Sequence, residues 1–283
     1  MQLIETVAGV KYQVAAWKAA GLTIGLVPTM GSLHEGHESL MDAARAACDK
    51  VVVSVFVNPL QFGPDEDYDN YPRDIERDSA ICEAHGVDVV FHPTPEEMYG
   101  PNYNTYVVME TLTDALCGAS RPGHFRGVCT VVNKLFNIAQ PDKAFFGQKD
   151  AQQLAIIKRM VADLNMNLQV VGCPIVREED GLAKSSRNTY LSAEERQAAL
   201  VLSRAIFAGE QAVRAGERNA DALKRLMGDI IAAEPLARVD YIEVVDGATM
   251  QPVETLGSSV LTAMAVCIGS TRLIDNFIYE EGE

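Results

Sequence analysis

The densest chemistry in the chain lies in Pro28-Thr29-Met30-Gly31-Ser32-Leu33-His34-Glu35-Gly36-His37. Ser32 and Glu35 have the spacing of a capping box, which predicts Ser32 as the N-cap and a helix beginning just after it. His34 and His37, three apart, then share one face of the first helical turns. Gly36 falls inside that helix at a cost of about 1 kcal/mol relative to Ala, which makes sense if something flat lies against the backbone. A helix N-terminus straight after a strand offers N–H groups and a positive dipole end to phosphate. Neutral imidazoles there can donate hydrogen bonds to phosphoryl oxygens as charge builds. Two other readings stay open. One is a metal site, although His-x-x-His is not the zincin spacing and has no evident third ligand nearby. The other is a pair of histidines that only pack.

Four further segments carry polar groups. Asn58-Pro59-Leu60-Gln61-Phe62-Gly63 offers amides that can orient a polar substrate, or it simply marks a turn. Arg121-Pro122-Gly123-His124-Phe125-Arg126-Gly127 is a basic patch in an acidic protein, either an anion site or a solvated loop. Phe146-Gly147-Gln148-Lys149-Asp150 is a strand–Gly–Lys turn into a helix, in which Lys149 can reach a phosphate. It is not a Walker A loop, and the chain contains no G-x-G-x-x-G and no G-x-S-x-G string. Lys184-Ser185-Ser186-Arg187-Asn188 sets two hydroxyls between two cations, as a mobile phosphate clamp or an N-cap would.

The elements that must position these groups alternate strand with helix. Leu22–Val27, Val51–Val57, Val87–Phe91, Lys143–Phe146 and Leu168–Val171 read as strands. Glu35–Asp49, Asp74–His85, Gly127–Gln140 and Asp150–Asn165 read as helices between them. The run Val51-Val52-Val53-Ser54-Val55-Phe56-Val57 suits a strand covered on both faces. The rhythm predicts an α/β fold: a Rossmann-like, mainly parallel sheet with helices on both faces. Ligands of such sheets bind outside the carboxyl ends of the strands, so the motifs after Val27, Val57 and Phe146 fall at one mouth. After about Ile175 the pattern changes to two helices, Ser192–Ala215 and Asn219–Glu234. Three strands follow, Val239–Val245, Val260–Ile268 and Arg272–Tyr279. Two domains are expected: residues 1–175, which carry the parallel sheet, and residues 176–283, a smaller α+β domain. The polar stretch Arg177–Gly181 reads as the hinge, and Glu280–Glu283 as a solvated acidic tail.

Composition bounds the partners. The 283 residues carry 24 Lys and Arg against 39 Asp and Glu, a net charge of −15. That excess of acid argues against bulk nucleic-acid binding, which needs a basic footprint. No signal peptide is visible, and no apolar run approaches the roughly 18–20 residues of a membrane span. The six cysteines form no Cys-x-x-Cys pair. They read as buried thiols of a reducing cytosol, with a catalytic or zinc-bound Cys as the other possibility.

His34-x-Gly36-His37 and Lys184-Ser185-Ser186-Arg187 resemble the paired motifs of the nucleotidyltransferase and class I aminoacyl-tRNA synthetase superfamily. The longer strings resemble one family within it, the pantoate–β-alanine ligases (pantothenate synthetases). They are Pro28–His37, Phe56–Phe62, Arg121–Phe125, Phe146–Asp150 with Gln153, and Ser185–Asn188. The likeness runs in order from about Val27 to Leu191 and returns at Arg272–Asn276.

The resemblance implies an AMP-forming ligase of the CoA-precursor pathway. (R)-Pantoate and ATP, with Mg2+, form pantoyl adenylate and pyrophosphate; the amine of β-alanine then gives pantothenate and AMP. It also implies a cytoplasmic homodimer acting on small molecules, with no nucleic acid and no membrane. Mapped by motif, His34 and His37 contact the ATP phosphates, with His37 as the usual catalytic residue and Lys149 beside it. Met30, Gly31 and Gly36 line the nucleotide site. Gly147, Gln148, Lys149 and Asp150 bind ATP, and Val176 meets adenine through its backbone. Lys184, Ser185, Ser186 and Arg187 belong to the phosphate clamp. Gln61, Gln153, Asn58 and Arg121 serve the acid, and Asp78 stands near the metal. Gln148 replaces a common Glu, and Lys184 a common apolar residue. The rivals are a nucleotidyltransferase of similar fold acting on a phosphate-bearing acceptor, a metal hydrolase using His34, Glu35 and His37, and a non-enzymatic binding protein.

Overall fold

In the computed structural model the described residues are 1–64 and 66–281. They fall into two compact units. The first comprises Met1–Met109, Pro122–Gln148 and Ile156–Pro174; the second comprises Glu110–Arg121, Lys149–Ala155 and the chain from Ile175 onward.

The first unit is built on six parallel strands. They are β1 (Gln2–Ile4), β2 (Ile24–Thr29), β3 (Lys50–Val55), β4 (Val89–Phe91), β5 (Lys143–Gly147) and β6 (Gln169–Cys173), in the order β1-β4-β3-β2-β5-β6. Apart from edge strand β1, this is the doubly wound order, and it reverses direction between β2 and β5. The ladders open there. β2 pairs with β3 along its whole length, Ile24↔Lys50 to Thr29↔Val55, whereas its ladder with β5 covers only Gly25↔Lys143 and Leu26↔Ala144. A crevice therefore begins at the carboxyl end of β2.

The β-branched runs explain why these strands sit in the middle. Val51, Val53 and Val55 pack with Leu40, Met41 and Ala44 of α2 (Glu35–Ala47), while the alternating Leu26 and Val52 are equally buried. Neighbouring side chains of a strand point to opposite faces, so both faces are covered. At Gly25 an added Cβ would lie 3.3 Å from Ala44 Cβ and 3.3 Å from Cys48 Sγ, which brings α2 close against the sheet.

Two early elements go beyond the sequence expectations: β1 and α1 (Val7–Ala19), which is capped by Thr6 and buries Val10, Val14 and Trp17. The helices α3 (Ile75–Ala84), α6 (His124–Ala139) and α7 (Ala151–Asp163) lie where the periodicity puts them, within a few residues. Two short helices, α4 (Pro95–Met98) and α5 (Leu116–Ser120), were not anticipated.

The second unit holds a three-stranded antiparallel sheet, β7 (Ala237–Asp246), β8 (Ser259–Ile268) and β9 (Thr271–Glu280), in that order. Leu202, Ile206, Met227, Met264 and Phe277 meet in its core. The expected single helix over Ser192–Ala215 divides at Ala199 into α8 (Ala193–Ala198) and α9 (Leu200–Arg214), followed by α10 (Ala220–Ala232). Glu280 is the last residue of β9 rather than part of a loose tail; Gly282 and Glu283 of that expected tail lie outside the described residues. None of the six cysteines is in a disulfide, and all but Cys117 are buried. Burial pushes the Cys82 and Cys129 thiols up to about 12, which keeps them protonated and inert.

Candidate active site

The loop after β2 does not enter its helix as a Ser32 capping box. Gly31 and Ser32 both take left-handed backbone, φ +83° and 51°. Asp78, in the first turn of α3 and 1% exposed, reaches across to them. Its carboxylate accepts from Ser32 N–H at 2.9 Å and from Leu33 N–H at 2.8 Å. These bonds hold the loop back by two residues, and His34 becomes the N-cap, with φ −148° and ψ 175°. Gly36 is thus the second residue of α2, not an interior one. Gly31 is needed on two counts: its φ is positive, and a Cβ would stand 2.8 Å from Asp78 Oδ2 and 3.0 Å from Val55 Cγ1.

The cap itself is made of imidazole. His34 Nδ1 accepts from Gly36 N–H at 3.1 Å, and His37 Nδ1 accepts from His34 N–H at 3.3 Å. The ring centroids are 4.1 Å apart. A backbone N–H can only donate, so each Nδ1 must present its lone pair. In the neutral rings the proton therefore sits on Nε2. Both side chains are part-exposed.

Asp78 is engaged with the loop through both oxygens, and burial still pushes its carboxyl above the ordinary range against the pull of the Leu33 and Ser32 amides. Among the described residues no three His, Cys, Asp or Glu gather as a metal cage.

A second cluster of the same unit surrounds Gln61. Asn58 begins the 3-10 turn Pro59–Gln61 directly beyond β3, and both amides are buried. Asn58 Nδ2 donates to Gln61 Oε1 at 3.0 Å and to Gly127 O at 3.1 Å. Gln61 Nε2 lies 3.1 Å from Met30 Sδ, which ties the cluster to the loop carrying the histidines. His124 Nδ1 stands 2.8 Å from the Gln61 carbonyl. Sequence reasoning missed Gly127. A Cβ there would fall 2.2 Å from the Leu60 carbonyl oxygen, so α6 can approach this turn only at a glycine. Its one signal was a glycine at the first position of a predicted helix.

Gly147 ends β5 and Gln148 follows it in the first unit; Lys149, Asp150 and Gln153 belong to the second. Within the second unit Lys149 Nζ is 4.0 Å from Asp150, and the Lys149 carbonyl accepts from Asn276 Nδ2 at 2.9 Å. Next to Asn276, the buried Asp275 holds Arg177 by two bonds of 2.7 and 2.9 Å. Arg177 also donates to the Gly181 carbonyl at 3.1 Å, so Arg177–Gly181 is a tied-down turn. Val176 O accepts from Lys184 N–H at 2.9 Å, while Lys184 Nζ pairs with Glu178 at 2.7 Å. Ser185 Oγ accepts from Arg187 N–H at 3.3 Å and caps the 3-10 helix Ser186–Tyr190. Arg121 closes α5, its N–H on the Cys117 carbonyl at 2.9 Å. Buried Gln152, a neighbour of Gln153, donates to the Leu112 and Ala115 carbonyls at 2.9 and 2.8 Å and so fixes the approach to α5.

The fold and these groups define a doubly wound α/β protein with a histidine pair capping the helix that follows β2, beside its topological switch point. Comparison with known proteins narrows that class. The Pantoate-beta-alanine ligase family model matches residues 2–278, and the chain belongs to that family. A pantothenate synthetase of Clostridium novyi is 62% identical over 274 residues, covering 97% of each chain. One of Ruminiclostridium cellulolyticum is 60% identical over 279 residues, covering 99% of each. The crystal structure of the Thermus thermophilus pantothenate synthetase superposes with a TM-score of 0.91 at 46% identity, covering 98% of this chain and 99% of that one. The Francisella tularensis pantoate-beta-alanine ligase, solved with beta-gamma ATP and beta-alanine, gives 0.79 at 31%, covering 98% and 97%.

Proposed function

We propose that this chain joins (R)-pantoate to β-alanine through pantoyl adenylate, with ATP converted to AMP and pyrophosphate. The observation that carries the reading is the paired imidazole cap after β2, in which both Nδ1 atoms accept from backbone and each proton is left on Nε2. A carboxylate is a poor electrophile toward an amine. In the first step a pantoate carboxylate oxygen attacks the α-phosphorus, the bond from that phosphorus to the bridging oxygen breaks, and pyrophosphate departs with the electron pair. In the second step the β-alanine nitrogen attacks the acyl carbon, loses a proton, and AMP leaves. The enzyme's part is to place the reactants in line and to neutralise the phosphates.

The reading assigns that neutralisation in the first unit to His34 and His37, with Met30, Gly31, Gly36, Gly147 and Gln148 along the nucleotide. In the second unit it goes to Lys149, Ser185, Ser186 and Arg187, with Asp150 toward the ribose and Val176 toward adenine. Gln61, Asn58, Gln153 and Arg121 serve the acid. Lys184 enters this set only by exchanging Glu178 for phosphate. Mg2+, which the reading includes, would supply charge neutralisation on the triphosphate oxygens. The enzyme is read as a cytoplasmic homodimer; among the described residues no helix is long and apolar enough to cross a membrane. A nucleotidyltransferase with a phosphate-bearing acceptor is not favoured, because neutral amides stand where such an acceptor calls for cations.

The test is exchange of labelled pyrophosphate into ATP. It is expected to require pantoate and not β-alanine. Exchange without any acid, or none with pantoate, overturns the two-step route.

A further inference from the structure

The amide of Asn58 is locked by groups whose roles cannot reverse. Its Oδ1 accepts from Leu60 N–H at 3.3 Å, and its Nδ2 donates to the Gly127 carbonyl at 3.1 Å. One partner is a backbone donor and the other a backbone acceptor, so the amide has one orientation. Its two remaining sites are also used: Tyr99 O–H donates to Oδ1 at 2.7 Å, and Nδ2 donates to Gln61 Oε1 at 3.0 Å. All four hydrogen-bonding sites of a 1% exposed side chain are therefore met. The polarity passes on. With Oε1 turned to Asn58, the Gln61 amide has one orientation and places its Nε2 on the other side, where it meets the Met30 thioether at 3.1 Å. A thioether is a weak acceptor, so an oxygen of a bound acid would be a better one.

Tyr99 supplies the shortest bond of the series Tyr99–Asn58–Gln61–Met30. Its ring is fixed between Phe56, at 6.2 Å between centroids, and Tyr103, at 5.0 Å, with the Lys134 ammonium 5.7 Å from its centroid. Burial pushes the phenol above its ordinary range, so it remains a donor in all ordinary buffers.

We infer that Tyr99 is a positioning residue for the acid substrate: through Asn58 it holds Gln61 with its N–H, never its C=O, toward that substrate. The inference rests on the pantoate reading and adds a selection rule to it. The acid must face Gln61 with a hydrogen-bond acceptor, and a substrate hydroxyl at that place must turn its own proton elsewhere.

Tyr99→Phe removes one oxygen and keeps the ring. With pyrophosphate exchange as the assay, the KM for pantoate is expected to rise about fivefold, the worth of one neutral hydrogen bond. The KM for ATP stays unchanged. The decisive arm is a cycle with Gln61→Ala. If Tyr99 acts through Gln61, Tyr99→Phe has no effect on the pantoate KM in the Gln61→Ala background. An unchanged pantoate KM in Tyr99→Phe overturns the inference. So does the same fold-change in both backgrounds, or a rise in both KM values together with a lower melting temperature. If the unaltered enzyme shows no pantoate-dependent exchange, the functional reading itself has failed, which is a separate result.

Discussion

The histidine pair of the first unit and the Lys149–Arg177 region of the second are held in opposite ways. His34 and His37 are oriented by backbone groups two and three residues away, and Asp78 anchors the loop before them from a distance. Lys149 and Arg177 are held by Asn276 and Asp275, which lie 127 and 98 residues further along the chain. A locally built device tolerates change elsewhere in the protein. A remotely built one fails whenever its far partner does, even though that partner need touch no substrate.

Four experiments break or sharpen this contrast. The largest effect is expected from His37→Ala, which removes an Nε2–H donor and the acceptor that fixes the His34 backbone. Pantoate-dependent exchange should fall about 10²–10³-fold, as for loss of one transition-state donor, with the circular dichroism spectrum preserved. Unchanged turnover would remove His37 from its role. Next comes Asp275→Asn, which leaves the Arg177 guanidinium without its charged partner. Denaturant unfolding should show a loss of about 3 kcal/mol, and the KM for ATP should rise although the histidine pair is untouched. Equal stability of variant and parent would mean that the remote anchoring is not real.

Asp78→Ala probes the distant member of the local device. The buried Leu33 N–H and the part-buried Ser32 N–H lose their acceptor, at a cost of about 1–3 kcal/mol in mildly acid buffer. Because burial raises the Asp78 pKa in the folded protein, its stabilisation is fully present below the ordinary carboxylate pKa. It is lost as pH rises through the raised value. The stability gap between parent and variant should therefore narrow from acid toward neutral pH; a gap that widens contradicts this account. The smallest effect belongs to Ser192→Ala, which removes the α8 capping box in the second unit. About 1 kcal/mol of stability should go, with exchange activity unaltered. A fall in activity would show that local contacts there matter to the site as well.

How much of this was legible follows the same division. The run Val51–Val55 and the spacing of α2, α3, α6 and α7 carry their own periodicity, and the structure agrees with them to within a few residues. β1 is only three residues long and is defined by its ladder to Val89–Phe91, so nothing local announces it. α1 buries a stripe of only three residues while Tyr12 stands 80% exposed, which blurs the pattern. The capping box at Ser32 and Glu35 had the right spacing but lost to Asp78. Two bonds from the loop amides to the Asp78 carboxyl outweighed one Ser cap, and the helix began later. The same rule held at Ser192 and Glu195, where no distant carboxylate competes for the backbone.

From the order of residues alone came the alternation of strand and helix, the polar groups gathered at the strand ends, and the two histidines set three apart. Local periodicity and residue type suffice for those. Only the tertiary structure decided that Asp78 takes the loop amides and moves the helix start to His34, which way the Gln61 amide is turned, and that Asp275 and Asn276 hold the Arg177 guanidinium and the Lys149 carbonyl. Each of those choices depends on a hydrogen-bonding partner brought near by folding, and linear spacing carries no record of which partner that is.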